Sequence, residues 1–253
     1  MTEVHAGEIE QAAALLRGAR HAVAFTGAGI STPSGIPDFQ SKNTGLWQRF
    51  DPMEVASIKA FTTHPEKFYG WLRPLLREIW AAQPNPAHIA LAQLEKAGIL
   101  KAIITQNIDA LHQRAGSSAV YEVHGSLRGM VCLRCHDTFP TGQFRAEIEE
   151  PTALPRCPNC GRVLKPQITL YGELLPEDTW TAAEEHCRRA DVILVAGSSL
   201  VVWPAASLLE VGLNHGARLI INNLTPTHLD PSAAVRINLN VAEAIPAIAQ
   251  HMV

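Results

Sequence analysis

The feature that most restricts how this 253-residue chain can fold is a motif used repeatedly: a short, wholly apolar run that ends abruptly in small or polar residues. His21 to Phe25 runs into Thr26-Gly27-Ala28-Gly29-Ile30-Ser31, Leu100 to Thr105 into Gln106-Asn107-Ile108-Asp109, Val192 to Val195 into Ala196-Gly197-Ser198-Ser199, and Arg218 to Ile221 into Asn222-Asn223. Runs with no polar face read as strands covered on both sides, the pattern of a parallel sheet flanked by helices. A further strand is expected over Val235 to Leu239, and a short one over Val120 to Val123. Helical stripes separate the strands: Glu8 to Arg17, with Ile9, Ala12, Ala13 and Leu16 on one face; Pro86 to Lys96, stopped by Gly98; Thr179 to Arg189; and a helix after Asn240. The fold class that follows is α/β, a doubly wound, Rossmann-like parallel sheet that gathers the polar strand ends along one edge, where such sheets bind dinucleotides.

Gly27-Ala28-Gly29 is only part of a dinucleotide fingerprint, because Thr32 stands where a third glycine belongs. With the acidic residue of the full fingerprint also missing, the pattern argues against an ordinary dehydrogenase. Two glycines one residue apart still let a backbone turn tightly and approach a phosphate, and the Gly197-Ser198-Ser199 turn offers N–H and hydroxyl donors at the start of a helix.

Cys132-Leu-Arg-Cys135 and Cys157-Pro-Asn-Cys160, with 21 residues between them, form two matched knuckles. Four thiolates make a closed tetrahedral Zn²⁺ site, structural because no position is left for water or substrate. The rival reading is a redox pair; two matched pairs with Gly161 after the second favour a zinc ribbon, approximately 128–165, inserted into the α/β pattern. The fifth cysteine, Cys187, lies in a helix and reads as buried and inert. Segment 61–82 reads as helical, with Pro74 ending or kinking it and its aromatic residues packing a small helical lobe.

Composition closes off other classes. A net charge of −3 without a long basic run gives no nucleic-acid groove and no attraction to an anionic membrane. No stretch reaches the ~18 apolar residues of a membrane span, and the acidic, helical N-terminal segment has no apolar signal core. A mean hydropathy near zero fits a well-cored domain. The expected location is the cytoplasm, whose reducing conditions also suit free thiolates.

Thr26-Gly-Ala-Gly-Ile-Ser31, followed by Ser34-Gly-Ile-Pro-Asp38-Phe39, resembles the signature of the sirtuins, the NAD-dependent protein-lysine deacylases, and the chain reads as a compact bacterial or archaeal member. Thr105 to Gly116 matches a second sirtuin motif without a gap, Val123-His124-Gly125 the segment of the general base, Leu164 to Glu173 the wall of the peptide groove, and Gly197 to Pro204 a further motif. The resemblance covers nearly the whole chain.

It implies that the acyl-lysine carbonyl oxygen attacks C1′ of the nicotinamide ribose and that nicotinamide leaves. His124 then takes a proton from the ribose hydroxyl system, and water releases lysine and O-acyl-ADP-ribose. Asn107 and Asp109 would hold the ribose and the nicotinamide pocket, Asp38 and Ile30 would shape that pocket, and Phe39 would cover the cleaved face. Gly27, Ala28, Gly29, Gln40, Gln106, Ile108, Gly197, Ser198, Ser199, Asn222 and Val241 complete the expected NAD contacts. Ile168, Tyr171, Gly172, Glu173, Leu200 and Val201 would meet the substrate peptide, which pairs as an extra strand. The expected cofactors are NAD as co-substrate and one structural zinc; the expected partner is an acyl-lysine protein or peptide, with no nucleic acid or membrane, and the protein a monomer.

Gln40 stands where the family has arginine. It keeps amide donors but loses the charge and the bidentate fork, so an active enzyme with a raised KM for NAD is expected. The desuccinylase members carry Tyr-x-x-Arg; here Tyr69 is followed by Leu72, with Arg73 one place late. That shift turns the side chain by about 100° on a helix and predicts uncharged acyl groups over succinyl. The large lobe is expected over approximately 6–40, 86–127 and 166–253, the small lobe over 41–85 and 128–165. The alternatives are an ADP-ribosyltransferase on the same scaffold, or a non-catalytic module binding acyl-peptide or NAD, which the retained His124, Asn107 and Asp109 argue against.

Overall fold

The computed structural model describes residues 3–38 and 48–252. Phe39, Gln40 and Trp47 lie outside the described residues, so the readings of Phe39 and Gln40 are not addressed by it. In chain order the strands are β1 (Ala22–Thr26), β2 (Leu100–Thr105), β3 (Val120–Glu122), β4 (Gly125–Val131), β5 (Thr138–Pro140), β6 (Lys165–Ile168), β7 (Val192–Ala196), β8 (Arg218–Asn222) and β9 (Ala233–Ile237). The helices are α1 (Glu3–Arg17), α2 (Pro52–Val55), α3 (Ile58–Thr63), α4 (Pro65–Ala81), α5 (Pro86–Lys96), α6 (Leu111–Arg114), α7 (Arg145–Glu149), α8 (Glu177–Arg189), α9 (Ser207–Asn214) and α10 (Val241–Gln250).

Six strands form one sheet in the order β3-β2-β1-β7-β8-β9, every neighbouring pair parallel. The chain winds outward from β1 through β2 to β3, then returns to the other side of β1 with β7. The switch point therefore lies between β1 and β7, whose C-terminal ends carry the 26–31 and 197–199 turns. Both faces are covered: Ile9, Ala12, Leu16, Leu91 and Ile245 pack on one, Ala183, Cys187, Leu208 and Leu209 on the other. Burial pushes the Cys187 thiol up to about 12, which leaves it an inert core residue.

A second, three-stranded antiparallel sheet, β5-β4-β6, belongs to the small lobe. Its core joins Phe61, Phe68, Tyr69 and Leu72 to the half of the ribbon that carries Cys132 and Cys157. The aromatic residues of segment 61–82 are packing residues, as their helical spacing predicts; Phe68 and Tyr69 are fully buried. Pro74 does not end the helix, because α4 runs through it to Ala81. β9 begins two residues before the strand expected there, at Ala233 rather than Val235, because pairing with β8 starts at Ala233↔Leu219.

His88 sits in the first turn of α5, with no side-chain exposure, and its Nε2 has no hydrogen-bond partner among the described residues. Burial lowers its pKa from 6.5 to about 4. A depressed histidine stabilises the fold fully above its unfolded pKa, and that contribution is lost as pH falls from 6.5 toward 4; the shift corresponds to roughly 3 kcal/mol. Denaturant unfolding at pH 7 and pH 4.5 is expected to show a marked loss of stability that is smaller in His88→Gln. Equal losses in both proteins would rule His88 out as the source.

Candidate active site

The glycines of the first turn are needed for loop against loop. A Cβ on Gly29 would lie 2.8 Å from Gly197 O, and one on Gly27 2.9 Å from Ser198 Cβ. Gly197 itself has φ +64°, and a Cβ there would lie 2.3 Å from Ile30 N. The two turns interlock: Gly29 N donates to Gly197 O at 2.8 Å, and Gly197 N donates to Asn222 O at 2.9 Å. Glycine thus brings the ends of β1, β7 and β8 together into one surface. The residues after Gly27 form two short 3₁₀ turns, Ala28–Ile30 and Thr32–Ser34, in place of the long helix that a third glycine would accompany.

The 105–109 turn is held against this surface. Asn107 Nδ2 donates to Gly27 O at 3.1 Å and Ser31 Oγ at 3.0 Å, and Ser31 Oγ donates to Asp109 Oδ2 at 2.7 Å. Asp109 Oδ1 accepts from Leu111 N at 2.9 Å. Burial, opposed by these donors, raises the Asp109 pKa. Gln106 Nε2 donates to Ser198 Oγ at 2.9 Å, so three strand ends are cross-linked. Beneath them lies a hydroxyl relay: Thr26 Oγ1 donates to Thr105 Oγ1 at 2.8 Å, and His112 Nε2 is 2.9 Å from Thr26 Oγ1. Ser31, Thr26, Thr105 and His112, which hold these strand ends together, are not among the expected site residues, although all four stand inside the motifs quoted above.

His124 is half-buried at the β3–β4 junction. Its Nδ1 is 3.0 Å from Gln106 O. A carbonyl can only accept, so Nδ1 carries the proton and Nε2 of the neutral ring is the free base. Burial lowers the His124 pKa, against the raising effect of the Gln106 carbonyl, which keeps the ring neutral at neutral pH. Gly125 has φ +77°, and a Cβ would lie 2.1 Å from Gln167 O, so only glycine lets β4 lie against β6 at this point. Thr169 N donates to His124 O at 2.8 Å, tying His124 directly to the expected peptide wall.

That wall is held from behind. Tyr171 pairs with the start of α3 through Ile58 N to Tyr171 O and Tyr171 N to Ala56 O, both 3.0 Å. Gly172 turns there with φ +90°. Glu173 faces inward: its Oε2 is 3.0 Å from the buried Lys165 Nζ and accepts from Leu170 N at 2.9 Å. Lys165 Nζ also donates to Ile168 O at 2.6 Å, so one ammonium closes the whole 165–173 loop. Its signal in the sequence is a cation and a carboxylate, Lys165 and Glu173, separated by an uncharged stretch.

Other expected contacts divide in the same way. Val201 is exposed, while Leu200 and Ile168 are buried core residues that offer only their backbone. Ile30 is fully buried in the core under the first turn, and Val241 is buried at the start of α10. Ala28, Asp38, Ile108 and Ser199 are half-buried at the edge. Asn222 is fully buried, and its Nδ2 donates to Ile237 O at 3.2 Å and Leu239 O at 2.9 Å. Its Oδ1 has no hydrogen-bond partner among the described residues, an acceptor at the strand end that fits a hydroxyl-bearing ligand such as a ribose.

The four cysteine Sγ atoms lie within 4.8 Å of one another, with Cys132–Cys160 at 3.4 Å and Cys135–Cys157 at 3.5 Å. These separations exceed the ~2.05 Å of a disulfide and approach the ~3.8 Å edge of a tetrahedron with 2.3 Å Zn–S bonds. The donor set fits zinc.

The Sir2 family model matches residues 27–204. The chain is 46% identical over 246 residues to the NAD-dependent protein deacylase 2 of Archaeoglobus fulgidus, covering 97% of this chain and 96% of that one. A solved Sir2 enzyme superposes with a TM-score of 0.90 at 45% identity, covering 97% of this chain and 98% of the other. A Sir2 complex with a p53 peptide and NAD⁺ superposes with a TM-score of 0.85 at 39% identity, covering 94% and 95%.

Proposed function

The chain belongs to the Sir2 family and is an NAD-dependent protein deacylase acting on acyl-lysine, and from that premise we propose how its own residues carry the reaction. The observation that carries the proposal is the His124 geometry: a neutral imidazole with Nδ1 committed to Gln106 O, between the dinucleotide edge and the peptide wall. His124 Nε2 takes the proton from the ribose hydroxyl system once nicotinamide has left. Asn107 and Asp109, locked through Ser31, hold the ribose and the nicotinamide pocket, and Gln106 with Ser198 and Ser199 lines the pyrophosphate side. The substrate strand lies along the 168–171 edge and Val201. NAD supplies the electrophilic C1′ that captures the acyl oxygen; this chain supplies orientation, the base and exclusion of water. The four-cysteine zinc is structural and takes no part in a step.

The test is mass spectrometry of an acetyl-lysine peptide with and without NAD. NAD-dependent loss of acetyl with O-acetyl-ADP-ribose formed is the expected result. ADP-ribose on protein, or peptide binding without NAD consumption, would replace this reading with the transferase or the binding module respectively. The domain division is proposed as a large lobe over 6–40, 86–127 and 166–253 with the small lobe over 41–85 and 128–165. We propose also that the protein acts as a cytoplasmic monomer, away from nucleic acid and membrane; light scattering of the purified protein tests the monomer. Among the described residues no helix is long and apolar enough to cross a membrane.

Acyl preference follows from the small lobe. Tyr69 is fully buried and its hydroxyl donates to Leu164 O at 2.6 Å. Arg73, 7% exposed, donates through Nε to Ile148 O at 2.8 Å and through Nη2 to Ala153 O. Both side chains are committed to backbone carbonyls, so neither is free to neutralise a substrate carboxylate, and burying that carboxylate unpaired is costly. Acetyl-peptide is expected to be turned over at least about tenfold more efficiently than succinyl-peptide, a margin of ~1.4 kcal/mol; faster succinyl hydrolysis would sink the idea.

A further inference from the structure

On the small lobe, outside the loops described above, a hollow of about 320 Å³ lies between the zinc knuckles and the α3–α4 corner. Arg134, Arg156 and Arg162 line it beside the apolar Phe61, Leu133 and Val163, and among the described residues no carboxylate does. All three arginines are exposed, in a chain whose net charge is −3. Arg156 is held by Nη1 donating to Gly161 O at 3.0 Å. Among the described residues the guanidiniums of Arg134 and Arg162 make no hydrogen bond or ion pair. Leu133, at 37% exposure, adds an uncovered apolar side chain.

Charge compensation of the metal does not account for this cluster. A zinc tetrathiolate carries about two negative charges, fewer than the arginines bring, and the hydrogen bond from Arg134 to a cysteine sulfur comes from its backbone N–H. The knuckles do explain why the arginines converge. Arg134 lies inside the first Cys-x-x-Cys and Arg162 two residues after the second, so one metal centre sets their spacing. Helix α3 links the hollow to the expected peptide wall: Tyr171 pairs with Ile58 at the start of α3, and Phe61, which lines the hollow, is about one helical turn further on.

We propose that this hollow is a docking site for an acidic segment of the acylated protein substrate, at a distance along the chain from the acyl-lysine. The inference rests on the deacylase reading of the neighbouring groove. Guanidiniums pair with carboxylates through two-point hydrogen bonds, and the apolar lining takes an aliphatic or aromatic neighbour in the same segment. The reaction is unchanged; the site selects which protein reaches it.

The experiment compares acetyl-lysine peptides extended at either end by a flexible linker and an Asp/Glu-rich tail, or by a Lys-rich tail of equal length. They are assayed on the zinc-loaded parent and on the Arg134→Ala/Arg162→Ala double variant. Both substitutions remove exposed side chains whose guanidiniums have no partner among the described residues, so the variant is expected to fold and to melt close to the parent. In the parent, one acidic-tailed peptide is expected to have a KM roughly five- to tenfold below its Lys-tailed counterpart. The advantage should shrink in ~0.5 M salt and vanish in the variant, with the tail-less peptide and the zinc content unchanged. Equal KM values in the parent, or an advantage that survives in the variant, would overturn the proposal. So would loss of zinc from the variant, which would make the arginines part of the metal's own surroundings. Calorimetric binding of an acidic peptide without lysine reads the same site without turnover, so failure of the deacylase reading and failure of the docking site remain distinguishable.

Discussion

Replacing His124 with alanine is expected to lower deacylation by about 10²- to 10⁴-fold, the range for a positioned general base, with NAD affinity changed by no more than a few fold. The split follows from the geometry. Among the described residues the ring's polar contact is Nδ1 to Gln106 O, while the 26–31, 105–109 and 197–199 turns are cross-linked by Asn107, Ser31, Asp109, Gln106 and Ser198 without it. The parent's pH profile carries the same signature. A histidine whose pKa is lowered is already neutral at pH 7, so kcat/KM should be flat through neutrality and fall only below pH 6.5. That acid limb should be absent from the residual activity of the variant. A parent profile rising through pH 7 to 8 would show that some other group supplies the base, and so would a variant retaining more than about a tenth of the parent's rate.

Removing the metal, by chelation or by Cys132→Ser, is expected to abolish activity and to lower Tm by more than about 10 °C. Structural zinc in isolated fingers is worth on the order of 10 kcal/mol, and each kcal/mol moves Tm by about 2–4 °C in a chain of this size. The lobe has some core of its own, so the loss is expected to be smaller than for an isolated finger. Cys132 and Cys157 lie inside the core that includes Phe68, Tyr69 and Leu72, and β4 runs from His124-Gly125 straight to Cys132. Loosening the knuckles therefore slackens the β4–β6 pairing that holds the base against the peptide wall. The six-stranded sheet has separate cores on its two faces, so amide exchange should quicken in 125–170 and stay slow in β1, β2, β7 and β8. Unchanged Tm and activity in metal-free protein would remove the zinc from this role.

Much of the site could be read from the chain because its signals are local. Wholly apolar runs announce buried strands, and β2 and β7 occupy almost the residues their runs predict. Two knuckles with matched spacing announce four converging thiolates, found within 4.8 Å of one another. His124 stands out because glycine and the first knuckle follow it closely. These inferences need only the periodicity of a strand or the reach of a short turn.

What the chain could not disclose was which side chains the fold would spend on itself. Asn222 stands at a strand end and reads as a ribose ligand, and its amide donors go to the carbonyls of Ile237, the last residue of β9, and Leu239 just beyond it, which leaves Oδ1 for a ligand. Glu173 reads as a peptide contact, and its carboxylate meets Lys165. Ile30 sits in a ligand-type loop and packs into the core. Pro74, a helix breaker by itself, is carried through α4 by the packing of the residues around it. In each case the deciding partner lies on a different element, and pairing with it satisfies a polar group or buries an apolar one that would otherwise be left in water. The residues alone determined the chemistry available to this protein: an imidazole, polar strand ends and four thiolates. The strand order β3-β2-β1-β7-β8-β9 decided which of those groups meet, because only tertiary packing brings Gly29 against Gly197 and frees Nε2 of His124 by binding its Nδ1 to Gln106.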